Sequence, residues 1–98
     1  AIILMAAKFG LPVCPHAGGV GLCEMVQHLA MFDAVAVSGH HKDRVVEFVD
    51  HLHEHFVVPT NIQNAHYMPP TEPGAGGEMF AQSIADFTFP TGKEWANA

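Results

Sequence analysis

The sequence predicts an α/β fold in which parallel strands alternate with covering helices, and three patterns carry that reading. Ala34-Val35-Ala36-Val37-Ser38 is an apolar run without alternation, as expected of a parallel strand buried on both faces. Leu22, Met25, Val26, Leu29 and Phe32 fall at helical spacing and give one apolar stripe. Val45, Val49, Leu52 and Phe56 recur at i, i+4, i+7 and i+11, a second helical face. Parallel strands joined by a crossover helix form a right-handed βαβ unit, and the flanking helices fit the outer ring of a (β/α) barrel.

Ile2 to Phe9 reads as a helix rich in Ala, Leu and Met, with Gly10 as its C-terminal cap. Leu11-Pro12 makes a turn. Val13-Cys14 is a very short strand bordered by prolines, where they cost few ladder hydrogen bonds. The helix from Gly21 ends near Asp33, and Ala34 to Ser38 follows as a strand. Asp43 is a candidate N-cap for a helix running to about Phe56. Asn61 to Tyr67 reads as a strand, 68–77 as Pro/Gly-rich coil, and Met79 to Asp86 as a short helix. Phe87-Thr88-Phe89-Pro90 reads as extended. Phe87, Phe89 and Trp95 are too apolar for a free tail and are expected to pack against other groups.

Composition narrows the function. A chain of 98 residues holds at most one small domain. Its hydrophobic fraction of 49% argues for folding rather than disorder. The opening residues already read as the middle or end of a helix, so a piece of a longer protein is expected. A formal net charge of −6, with Lys8, Lys42, Arg44 and Lys93 scattered, argues against nucleic acid. The apolar runs are too short to span a bilayer, so no membrane partner is expected. Cys14 and Cys23 form no disulfide framework and read as reduced thiols.

Chemistry concentrates in Val13 to Glu24. His16 sits where an apolar run stops, and Gly18, Gly19 and Gly21 follow before the next helix. In parallel α/β folds, strand ends are where ligands bind, and glycines let backbone come close to them. The glycines lack the GxGxxG or GxxxxGK[ST] spacing that a nucleotide loop requires. His51 and His55, at i, i+4, together with His53, His40 and His41, raise a zinc or nickel reading; the pattern fixes no third ligand.

Met5-Ala6-Ala7-Lys8-Phe9-Gly10, the decapeptide Pro15 to Glu24, and Arg44-Val45-Val46-Glu47 resemble the C-terminal part of the L-fuconate dehydratases. Pro70-Thr71-Glu72-Pro73-Gly74 and Ser83-Ile84-Ala85 resemble the same family, which belongs to the mandelate racemase group of the enolase superfamily. The resemblance implies residues 1–58 as the last two βα units of a modified (β/α) barrel. It implies 59–98 as an extension returning toward a capping domain. It further implies a lyase that removes water from L-fuconate, with His16 on strand seven as general acid/base and substrate contact. Ala34 to Ser38 would be strand eight, and Glu47 a second substrate-binding residue.

By the same resemblance, Mg²⁺, its three acidic ligands, a lysine base and an aspartate orienting the histidine lie outside this chain. The isolated chain is then expected to be inactive and only marginally stable. The parent is expected to act on a small sugar acid and to be a homo-oligomer. It is expected in the cytoplasm, or in mitochondria if it is an animal protein. The alternative is a non-catalytic truncated product that binds divalent metal through surface histidines or associates with a partner chain.

Overall fold

In the computed structural model, which describes residues 1–96, the chain opens with helix α1, Ile2–Lys8. Gly10, at φ +68, takes the left-handed conformation, and two backbone bonds close the helix end. Gly10 N–H donates to Ala7 O and Leu11 N–H to Ala6 O, the Schellman pattern that a glycine there makes cheap.

Helix α2, Leu22–Phe32, starts at Gly21 with φ +75. A side chain at Gly21 would meet the Phe56 ring at 2.9 Å, so this turn needs glycine for conformation and for space. The face of α2 that this chain covers is not the expected stripe. Cys23, Glu24, Val26 and Gln27 are buried, whereas Met25, Leu29 and Phe32 stand exposed. Partners for the polar pair explain the difference: His53 and Thr60 satisfy one Glu24 oxygen, and Gln27 Nε2 donates to Glu24 O.

Two expected elements are replaced. Ala34 to Ser38 is not a strand, because α2 runs on into a π-helical turn, Asp33–Val37. Ser38 N–H reaches back to Asp33 O at 2.7 Å, and Ser38 Oγ donates to the same oxygen. A short apolar run suits a helix end as well as a strand, and periodicity cannot separate them. The helix expected over Asp43 to Phe56 is also absent. After a single turn bond from Arg44 N–H to His41 O, the segment up to Asp50 leaves the helical path and runs beside Val13 to His16, joined by Glu47 N–H donating to Pro15 O at 3.2 Å. Val13-Cys14 makes no ladder of its own, flanked by two prolines without N–H groups. Only a 3₁₀ turn, His53–His55, interrupts the path to Phe56.

Beyond Pro59 the expected single strand is a hairpin, β1 (Asn61–Gln63) against β2 (His66–Met68), antiparallel. Asn64 and Ala65, both at positive φ, form its two-residue turn. Helices α3 (Ala81–Phe87) and α4 (Lys93–Ala96) close the chain. Phe89 and Trp95 meet edge to face at 5.4 Å, and Phe87 meets the His55 ring. The expected packing of these aromatics is therefore met partly within the chain.

The small core of Ala17, Cys23 and Val26 lies under the loop bearing His16, with Leu22, Val46 and Tyr67 packed on it. The radius of gyration is 16.1 Å, against about 13 Å for a compact chain of this length. Ile2, Leu4, Phe9, Val35 and Val45 are exposed. The chain is therefore more extended than a closed globule of its length.

Candidate functional site

His16 and Glu47 come together although far apart in sequence. Pro15 and Ala17 are buried and anchor the backbone on either side of His16, while its side chain stands 78% exposed. His16 Nδ1 lies 2.5 Å from Glu47 Oε2. The same oxygen accepts from Ala17 N–H at 2.6 Å. A carboxylate there accepts the Nδ1 proton, so Nε2 is the nitrogen left for proton exchange with a bound molecule.

The hydrogen bond from Ala17 N–H, the largest influence, holds the Glu47 carboxyl below the usual carboxylate range. Partial burial opposes it, and His16 adds to the lowering. Glu47 is thus anionic at neutral pH. Its backbone is also fixed, since Glu47 N–H donates to Pro15 O and Glu47 O accepts from Tyr67 OH at 2.5 Å. Gly18 completes the geometry. A Cβ there would lie 2.6 Å from His16 Cε1, so glycine leaves room for the ring.

Sequence reasoning brought out His16 and Glu47 but put Glu47 on a helix, which the structure corrects to the non-helical segment beside His16. It missed Tyr67. The chain's single tyrosine, in a segment already read as a strand, was the available signal.

The histidines do not assemble. His53 Nδ1 lies 2.5 Å from Glu24 Oε1, and its Nε2 donates to Val49 O at 2.9 Å. His55 Nδ1 pairs with Ser83 Oγ at 3.0 Å. The helix that would align His51 with His55 is not formed. Among the described residues, no group of three His, Cys, Asp or Glu stands close enough to hold a metal ion.

Residues 1–83 match the family model described as enolase C-terminal domain-like. The chain belongs to that family. The domain is the α/β barrel part of the enolase superfamily, so the barrel assignment holds even where individual elements were misplaced. The chain is 56% identical over 94 residues to mitochondrial enolase superfamily member 1 of Homo sapiens, covering 96% of this chain and 21% of that protein. It is 51% identical over 90 residues to L-galactonate dehydratase of Hypocrea jecorina, covering 92% of this chain and 20% of that one. The crystal structure of human mitochondrial enolase superfamily member 1 superimposes with a TM-score of 0.94 at 55% identity, covering 98% of this chain and 22% of that chain. The enolase-type chain described here thus spans about a fifth of the length of the curated relatives it matches. Among the described residues, no helix is long and apolar enough to cross a membrane.

Proposed function

We propose that this chain is the part of a Mg²⁺-dependent sugar-acid dehydratase that supplies the general acid/base, His16, and a substrate contact, Glu47. The observation that carries the reading is the His16 Nδ1 to Glu47 Oε2 contact at 2.5 Å, on a loop whose imidazole faces solvent. Expelling hydroxide from carbon requires a proton to arrive with it, and imidazole is the side chain whose ordinary titration spans physiological pH. With Nδ1–H held by Glu47, the ring delivers or takes its proton through Nε2. Ala17 N–H keeps the carboxylate anionic and aimed.

The lysine base and the Mg²⁺ ligands belong, in this reading, to the part of the protein outside these residues. Residues 1–58 form the last barrel units and 59–98 the extension. L-Fuconate is the proposed substrate. L-Galactonate, named in one relative, differs from it by a hydroxyl at C6 and is the second substrate to assay. The names of the animal relatives favour mitochondria for an animal parent, with the cytoplasm otherwise. The parent is proposed to be a homo-oligomer.

The test uses the complete protein with Mg²⁺ and follows formation of the 2-keto acid from each substrate. His16→Asn should lower kcat by at least about 100-fold, the worth of a positioned acid. Dehydration at the wild-type rate in that variant would end the assignment.

A further inference from the structure

Backbone pairing between the His16 and Glu47 segments stops after one hydrogen bond, Glu47 N–H to Pro15 O. Past that point the chain turns into the glycine loop, and among the described residues side chains meet the next polar groups of the Glu47 segment. Tyr67 OH donates to Glu47 O at 2.5 Å, Val49 N–H donates to Cys23 Sγ at 3.5 Å, and His53 Nε2 donates to Val49 O at 2.9 Å. Partly buried backbone groups need such partners, and the first of the three serves the residue that holds His16.

We propose that Tyr67 is a positioning residue for the Glu47 carboxylate: its hydroxyl holds the Glu47 carbonyl and so fixes Glu47 against His16 and Ala17 N–H. The phenol is suited to this. Its ring packs on the Ala17, Cys23 and Val26 core and meets Phe48 edge to face at 6.0 Å. Burial, and next the neighbouring Cys23, raise its pKa above the ordinary tyrosine range, so the hydroxyl keeps its proton and donates. The titratable groups facing this contact are His16 on the loop, Cys23 and Glu24 on α2, and Glu47 itself. The hairpin after the barrel segments thereby reaches back to set the site.

The kinetic arm of the test rests on the dehydratase reading; a second arm does not. Tyr67→Phe in the complete protein keeps the ring and removes only the donor. The expected result is a fall of about tenfold in kcat/KM, typical of a misplaced catalytic group, with the acid limb of its pH profile moved upward. Glutamate labelled at Cδ with ¹³C, with Glu47 assigned from Glu47→Gln, should show the Glu47 titration midpoint rising toward the ordinary value. A purely packing role would lower the melting temperature and leave both the acid limb and the midpoint in place. That outcome would overturn the proposal. If His16→Asn dehydrates normally, the dehydratase reading falls, and the Glu47 midpoint still decides the role of Tyr67.

Discussion

Glu24 and His53 form an ion pair with Nδ1 2.5 Å from Oε1, the carboxylate fully buried and the imidazole 17% exposed. Burial is the largest influence on each and works against both charges. For Glu24, the hydrogen bonds from His53 and backbone groups overcome it and lower the carboxyl. For His53, the Glu24 and Val49 bonds overcome it and raise the imidazole. With both nitrogens donating, the ring is an imidazolium.

The pair predicts a stability window. The Glu24 contribution is present above its ordinary value of 4.5 and is lost as pH falls through the lowered native value. The His53 contribution is fully present below 6.5 and is lost as pH rises through the raised native value. Melting temperature against pH in the complete protein should therefore show a plateau between these limits. Glu24→Gln should flatten both shoulders.

Removing one partner takes from the other the bonds that offset its burial. Glu24→Ala is expected to cost about 3 kcal/mol. His53→Ala should cost a similar amount, and the double variant clearly less than the sum, because the two act as one unit. Chemical denaturation of the four proteins checks the cycle.

Two glycines should respond differently to alanine. At Gly21, the positive φ and the Phe56 ring at 2.9 Å make the substitution a folding defect, with loss of at least about 1 kcal/mol. At Gly18 the obstacle is the exposed His16 ring, which can swing away. Gly18→Ala should keep the melting temperature and lose about tenfold or more in kcat, the cost of displacing the proposed acid. Activity and thermal melts of the two variants, measured together, separate the cases.

The isolated chain is expected to associate rather than stay a stable monomer. A groove of about 740 Å³ lined by Met31, Val45, Phe48 and Ile62, among others, lies open. Size-exclusion chromatography and an apolar dye test this; a cooperative monomeric unfolding transition would contradict it. Isothermal titration with zinc should detect no micromolar site, since His53 and His55 are already engaged.

Legibility followed periodicity. The start of α2 and the Gly10 cap were readable, because a 3.6-residue stripe and a helix-ending glycine are local signals. The decapeptide around His16 was readable as a resemblance. Ala34 to Val37 was not, since four small or apolar residues fit a strand and a π turn alike. Arg44 to Asp50 misled because Val45 and Val49 match a helical face, while Val45, Val46, Phe48 and Val49 together favour a pleated setting. The buried Glu24, the Tyr67 bond and the covered polar face of α2 depend on partners distant in sequence, which no window along the chain contains.

Thr60 N–H donates to Glu24 Oε1, and Tyr67 reaches Glu47, so the line between residues 58 and 59 is crossed by bonds that serve both sides. Chimeras and splice forms are constrained accordingly. A foreign tail grafted after Pro59 could still offer Glu24 a backbone N–H but would lack the Tyr67 hydroxyl. The grip on Glu47 would slacken even with every upstream residue untouched, so this tail and the segment before it have to be inherited as a pair.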